Sequence, residues 1–311
     1  VSYNSYLIDD EMVALVDTVD ICYFEVYLRK IKQVIGERPI NYLIINHMEP
    51  DHSGSIRLIK QHYPEIIIVG NKQTFGMIEG FYGVTGEQYL VKEGDFLALG
   101  HHKLRFYMTP MVHWPETMMT FDETDGVLFS GDGFGCFGTV DGGFLDTRIN
   151  VDKYWGEMVR YYSNIVGKYG SPVQKALQKL GGLPISAICS THGPVWTENI
   201  AKVIGIYDRL SRYDADEGVV IAYGSMYGNT EQMAEAIAEE LSAQGVKNIV
   251  MHNVTKSHPS YIIADIFRYK GLIIGSPTYS NQIFPEVEAL LSKILLREVK
   301  GRYLGYFGSF T

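Results

Sequence analysis

His47-Met48-Glu49-Pro50-Asp51-His52-Ser53-Gly54 follows the apolar run Ile40-Asn41-Tyr42-Leu43-Ile44-Ile45, which reads as a buried strand. Pro50 disfavours helix at this point, so the segment is expected to leave the strand extended. Side chains two apart in an extended chain point the same way, which would turn His47, Glu49 and Asp51 to one side. His52 comes just before Ser53, an expected helix start, and its ring would turn back toward the same space. Four ligand-type side chains within six residues are costly to bury unpaired, so the cluster reads as a metal site.

Three later positions can complete it. His113 lies in Met111-Val112-His113-Trp114-Pro115-Glu116, Asp132 in Ser130-Gly131-Asp132-Gly133, and His192 in Ser190-Thr191-His192-Gly193-Pro194. Each leaves an expected strand for a loop bearing Gly or Pro, where a rigid scaffold can present a ligand. The sum is four histidines and three carboxylates. That exceeds one tetrahedral zinc and suits two metals sharing a bridging carboxylate. His62, His101, His102, His252 and His258 read as surface or capping residues.

Around this series the chain mixes short strands and helices. Tyr3 to Ile8 and Val13 to Val16 read as paired strands about the acidic turn Asp9-Asp10-Glu11. Phe24 to Ile35 reads as a helix with apolar residues at Val26, Leu28, Ile31, Val34 and Ile35, ended near Gly36. Val151 to Leu180 is helical in pattern with breaks at Gly170 and Pro172, and a further helix is expected from about Thr197 to Tyr213.

The texture then changes. Residues 214–218 read as a polar linker, followed by regular alternation: strand 219–223, helix 230–243, strand 249–252, helix 261–267, strand 271–275, helix 286–296, strand 303–307. Such alternation implies a doubly wound parallel sheet. Its first strand runs into Ser225-Met226-Tyr227-Gly228-Asn229-Thr230 and then an amphipathic helix. A strand–loop–helix of this kind aims backbone N–H groups at one spot, an anion site suited to a phosphate. The third strand leads into Ser276-Pro277-Thr278-Tyr279-Ser280-Asn281, at the edge where this topology places a ligand loop.

Composition bounds the rest. The 311 residues suggest two domains. Lys plus Arg number 27 and Asp plus Glu 36, a net charge of −9, and no basic run occurs, so nucleic acid is not the expected partner. No apolar stretch approaches the roughly 18 residues of a membrane span. Cys22, Cys136 and Cys189 are isolated, form no CxxC pair, and are expected to be buried reduced thiols in a cytoplasmic protein. The chain begins without Met or a signal peptide and stops at Thr311 without terminal character, so it is expected to be a segment of a longer protein.

The metal series resembles the metallo-β-lactamase fold, whose usual motif is HxHxDH. Glu49 in place of the second histidine, together with HWPE at 113–116 and THGPVW at 191–196, resembles the flavodiiron proteins (A-type flavoproteins). Additional carboxylate suits iron, a harder acceptor than zinc. The second region's SxxGNT resembles the phosphate loop of flavodoxins. The resemblance implies an αββα metallo-β-lactamase-like sandwich at residues 1–213 and, after the linker, a doubly wound flavodoxin-like domain at 219–311, an α/β and α+β combination lacking its last strand. It implies that His47, Glu49 and His113 hold one iron, that Asp51, His52 and His192 hold the other, and that Asp132 bridges them. FMN would lie on Ser225, Met226, Tyr227, Gly228, Asn229 and Thr230, with Pro277, Thr278, Tyr279 and Asn281 at its ring. Tyr161 or Tyr162 reads either as core packing on a helix or as the donor of a hydrogen bond at the metals.

The activity so implied is an oxidoreductase that passes electrons from FMN to the diiron centre, reducing O2 to water or NO to N2O. Its donor would be a separate rubredoxin-like protein, and a head-to-tail homodimer or a tetramer would bring one subunit's flavin beside the other's metals. The alternative is a zinc hydrolase of the metallo-β-lactamase fold fused to a flavodoxin electron-transfer domain. A chain stopping at Thr311 would bind FMN weakly while keeping its metals.

Overall fold

The computed structural model describes residues 1–310, so Thr311, the last residue of the expected flavin domain, lies outside them. The chain forms two compact units, Val1–Met158 with Ser171–Gly205, and Val159–Gly170 with the chain from Ile206 on.

In the first unit, β1 (Tyr6–Ile8) pairs antiparallel with β2 (Ala14–Val16), as the sequence suggests, although Tyr3, Asn4 and Ser5 precede the strand. β3 (Tyr42–Ile44), β4 (Ile67–Gly70) and β5 (Gln88–Leu90) continue parallel to β2, giving the order β1-β2-β3-β4-β5. β2, β3 and β4 are apolar on both faces because both are covered, whereas β5 at the edge is exposed. Leu15, Leu43 and Ile68 point toward the helices, and Ala14, Val16, Ile44 and Val69 point into a second core. The helices are α1 (Phe24–Ile35), α2 (Pro50–Ser53), α3 (Ile56–His62) and α4 (Lys72–Tyr82). The buried stripe of α1 is Phe24, Tyr27, Leu28, Ile31 and Ile35; the expected Val26 and Val34 are exposed instead. The buried residues recur at i, i+3, i+4, i+7 and i+11, and Val26 and Val34 fall off that stripe.

The second sheet of this unit joins β6 (Phe96–Ala98), β7 (Lys103–Met108), β8 (Met118–Asp122) and β9 (Val127–Gly131) as antiparallel neighbours, with β10 (Ala187–Ser190) parallel to β9. Leu97, Leu104, Phe106, Met118, Phe129 and Cys189 meet the first sheet's inner residues in one core.

Helix α5 (Asp152–Tyr161) runs into a π-helical turn at Tyr162–Val166 and a 3-10 turn at Gly167–Tyr169 before α6 (Gly170–Leu180). The interruption thus lies ahead of the expected breaks. Gly170 and Pro172 belong to the first turn of α6, where proline's missing N–H has no helical acceptor to lose. Cys136 and Cys189 are buried as expected, but Cys22 is exposed, on a 3-10 turn that Asp20 caps.

The second unit orders its parallel strands β12-β11-β13-β15. They are β11 (Asp216–Tyr223), β12 (Ile249–Asn253), β13 (Tyr269–Tyr279) and β15 (Tyr303–Ser309), with the short β14 (Gln282–Ile283) turning back on β13. Helices α8 (Asn229–Ala243), α9 (Pro259–Arg268) and α10 (Pro285–Leu296) make the crossovers, after α7 (Ile200–Ser211) has led into the sheet. The expected linker 214–218 is partly strand. Asp216 pairs with Tyr269 in register and with Arg209 as an ion pair, which draws the polar stretch into β11. Among the described residues no helix is long and apolar enough to cross a membrane.

Candidate metal centre and phosphate loop

Asn46 and His47 leave the end of β3, and Asp17 at the end of the neighbouring β2 catches them. Its Oδ1 accepts from the Asn46 N–H at 2.7 Å and the His47 N–H at 3.3 Å. The next residues do not continue extended. Glu49 is the N-cap and Pro50 the first residue of α2, because proline's fixed φ and missing N–H suit a helix start as well as they oppose a helix interior. This turn changes the expected geometry. His47 and Glu49 stay on one side, and Asp51 and His52 are carried round to another.

Two groups of donors result. The Nε2 atoms of His47 and His113 lie 3.3 and 3.0 Å from Glu49 Oε2, and 3.7 and 3.0 Å from Asp132 Oδ2. The Nε2 atoms of His52 and His192 are 3.1 Å apart, lie 3.3 and 3.4 Å from Asp51 Oδ2, and 3.0 and 3.6 Å from Asp132 Oδ1. Each set converges on one point, and the spacing is that of atoms which share an ion at about 2.0–2.2 Å from each. Two facing imidazole nitrogens, each with a carboxylate oxygen alongside, form a donor set that a pair of cations satisfies well. Asp51 Oδ1 and His52 Nδ1 are buried without a hydrogen-bond partner among the described residues.

Both sheets of the first unit supply the cluster. His113 comes from the β7–β8 loop, Asp132 from the end of β9 and His192 from the end of β10. His47, His52, Asp132 and His192 are buried, whereas Glu49 and Asp51 form the open rim. Gly193 has φ +85°, and a Cβ there would stand 2.2 Å from Cys136 Sγ, so glycine is what lets the chain turn directly after His192.

Electrostatics binds the groups together. Burial opposes charge on His47, but Asp132, Glu116 and Glu49 outweigh it and lift its pKa to about 10. Against burial, His113 and His47 draw Glu49 down to about 2. Asp132, fully buried, is held well below the carboxylate range by His52, His113 and His47. Burial raises Asp17 to about 6. Carboxylate neighbours likewise outweigh burial and raise His113 and His192, so at His47, His113 and His192 protons and cations compete for the same nitrogens.

Partners that the sequence reading left unassigned fix these rings. Glu116, quoted there only within HWPE, is fully buried and reaches both His47 Nδ1 at 2.9 Å and the Met48 N–H at 2.8 Å. His192 Nδ1 donates to the Ser2 carbonyl at 2.7 Å, and the Thr191 hydroxyl donates to Asp132 Oδ1 at 2.7 Å. The proline-linked acid of HWPE was the available signal for Glu116; Ser2 and Asp17 carry none. Tyr161 and Tyr162 lie in the second unit, while all seven donors lie in the first. Tyr162 packs edge-on against Tyr207 and Phe267, as an aromatic on a core-facing helix does.

In the second unit, β11 and β13 end side by side where the crossovers diverge to opposite sides of the sheet, the place such folds hold ligands. Gly228, at φ +90°, precedes α8 with no side chain of its own to cap it; Ser225 Oγ accepts from the Glu231 N–H at 3.4 Å, leaving the Asn229 and Thr230 N–H groups for an anion. Ser225 Oγ accepts from the Gly228 N–H at 3.2 Å, shaping the loop, and Thr230 Oγ1 lies 2.9 Å from Ser309 Oγ on β15. Met226 and Tyr227 are exposed, the latter at 88%. The expected loop after Gly275 is instead strand as far as Tyr279. It closes through Ser280 and Asn281, both at positive φ, into a tight hairpin with β14. Pro277 is buried there, while Thr278, Tyr279 and Asn281 are exposed beside the strand ends.

Residues 1–193 match the ODP family beta lactamase, and residues 221–310 match flavodoxin. The chain is 32% identical over 314 residues to an anaerobic nitric oxide reductase flavorubredoxin of Vibrio vulnificus, covering 99% of this chain and 63% of that protein. An Escherichia coli flavorubredoxin is 31% identical over 313 residues, with 99% and 65% covered, so the chain spans less than two thirds of these relatives' length. Rubredoxin oxygen:oxidoreductase of Desulfovibrio gigas superposes with a TM-score of 0.95 at 31% identity, covering 99% of this chain and 78% of that one. The flavodiiron protein of Giardia intestinalis gives 0.95 at 28% identity, with 99% and 76% covered. With the lactamase-type match over more than half its length, the flavodoxin match behind it, and both motif sets in order, the chain belongs to the flavodiiron family.

Proposed function

We propose that this protein is an oxidoreductase that reduces NO to N2O or O2 to water, using electrons delivered through FMN to a paired-iron centre. The observation that carries the reading is Asp132, whose Oδ2 faces His47, Glu49 and His113 while its Oδ1 faces His52 and His192. In this reading His47, Glu49 and His113 hold one iron, Asp51, His52 and His192 hold the other, and Asp132 bridges. The iron pair supplies electrons and a binding position for the gas, and the flavin supplies the connection to an external donor.

The chain's own residues do the rest. Asp132, buried with Thr191 donating to it, holds the two halves at a fixed separation. Glu49 and Asp51, partly exposed, form the rim where the centre meets solvent. Glu116 and the Ser2 carbonyl fix the His47 and His192 rings so that Nε2 faces inward. On the flavin side, Ser225, Asn229 and Thr230 with the α8 N-terminus bind a phosphate. Met226, Tyr227 and Gly228 complete that loop, while Pro277, Thr278, Tyr279 and Asn281 lie against the ring.

The names of the relatives support both gases: one is a nitric oxide reductase and the other an oxygen oxidoreductase. The same reading includes a rubredoxin-like donor, a head-to-tail homodimer or tetramer, and a cytoplasmic location in which Cys22, Cys136 and Cys189 stay reduced. Metal and flavin analysis of protein made with iron tests it. Two irons and one FMN per chain support it, and two zincs with esterase turnover would overturn it.

A further inference from the structure

We infer that Glu116 is a positioning residue that makes the two halves of the metal centre unequal, so that the His47–Glu49–His113 half binds its metal more tightly. The inference rests on the two-metal reading above. Asn71 anchors the Glu116 backbone by donating to its carbonyl at 2.6 Å. The carboxylate is fully buried, and Oε1 serves both His47 Nδ1 at 2.9 Å and the Met48 N–H at 2.8 Å. Oε2 is buried with no hydrogen-bond partner among the described residues. Keeping an anion there with one oxygen unsolvated is costly unless a positive group faces it. A histidine polarised by a cation at its other nitrogen is such a group.

The other half is built differently. His192 Nδ1 donates to the neutral Ser2 carbonyl, and His52 Nδ1 has no hydrogen-bond partner among the described residues. A carboxylate behind an imidazole pulls on the Nδ1 proton and raises the electron density that Nε2 gives a metal, whereas a carbonyl does so weakly. The asymmetry therefore lies in what stands behind the rings, since both halves present two histidine nitrogens and a carboxylate besides the bridge.

The test titrates the metal-free full chain with zinc against a chromophoric chelator. Wild type should take two ions in two resolved steps. Glu116→Gln keeps the side chain's length and an acceptor for Met48 but removes the charge, and should weaken the tighter step about 10- to 100-fold while leaving the other unchanged. Unchanged affinities in both steps, or equal losses in both, would overturn the inference alone. Fewer than two zinc ions on wild type would overturn the two-metal reading and this inference with it. Should the variant fold poorly, nitrogen-15 and proton NMR of zinc-loaded wild type decides: the His47 Nδ1 proton should lie further downfield than that of His192, and equal shifts would overturn the inference.

Discussion

Asp132 Oδ1 sits 3.0 Å from His52 Nε2. The same carboxylate's other oxygen sits 3.0 Å from His113, so one side chain touches donors brought from α2 and from the β7–β8 loop. Replacing it with alanine removes the atoms common to both groups. Asp132→Ala should lose both metals while keeping FMN, read by metal analysis and flavin absorbance on the same sample. Retained iron in that variant would refute the bridging assignment.

Gly193→Ala tests how tightly the His192 half depends on its backbone. The new methyl would strain a φ of +85° and meet Cys136 Sγ at 2.2 Å. Together these should cost about 1–3 kcal/mol of stability and weaken metal binding at the Asp51–His52–His192 half. Adding Cys136→Ala should recover part of the loss by relieving the contact, leaving the backbone strain. Thermal unfolding and zinc titration of the single and double variants measure both.

On the flavin side, Thr230→Ala should weaken FMN by about 10-fold, the loss of one hydrogen bond to a charged group. Riboflavin, which has no phosphate, should bind both proteins alike. Quenching of flavin fluorescence provides the comparison, and an equal loss for riboflavin would move Thr230 away from the phosphate.

His102 and Asp10 offer a pH test remote from the metals. Asp10 accepts from the backbone N–H groups of Glu11, His101 and His102 and pairs with the His102 ring at 2.8 Å. The His102 and Glu11 backbone donors, with those of His101 and the ring, outweigh burial and hold its carboxyl well below the usual range. The His102 ring is raised despite burial, mainly by Asp10. The raised histidine stabilises the fold fully below about pH 6.5 and ceases to as pH rises through its elevated value. The lowered acid stabilises it above about pH 4 and ceases to as pH falls through its depressed value. Wild type should therefore exceed His102→Asn in Tm most between about pH 4 and 6.5, with the gap closing at alkaline pH. A gap independent of pH would contradict the pairing.

The parts of this protein that were legible in the sequence are those carried by local pattern. The run from His47 to His52, the strand-end positions of Asp132 and His192, and the β-α alternation after Gly218 each announce themselves within a few residues. What stayed hidden depends on contacts distant in the chain. Glu116 is 69 residues from His47, and Ser2 is 190 from His192, so neither pairing leaves a periodic trace. Pro50 was ambiguous for a physical reason, since the same fixed φ that breaks a helix interior begins a helix, and here it separates two ligand groups. For Tyr161 and Tyr162 the sequence left core packing and a hydrogen bond at the metals side by side, and Tyr162 packs among aromatics. The stretch after Gly275 read as a loop because this topology places a ligand loop at that edge, yet pairing with β14 and β15 holds it as strand to Tyr279.

Anaerobic stopped flow tests the proposed function most directly. Protein carrying iron and FMN is reduced, then mixed with NO or with O2 while flavin absorbance and gas concentration are followed together. The expected result is flavin reoxidation coupled to consumption of at least one gas in wild type, and a flavin that stays reduced on the same timescale with NO in Asp132→Ala. Wild-type protein that consumes neither gas, yet hydrolyses a thioester when loaded with zinc, would contradict it.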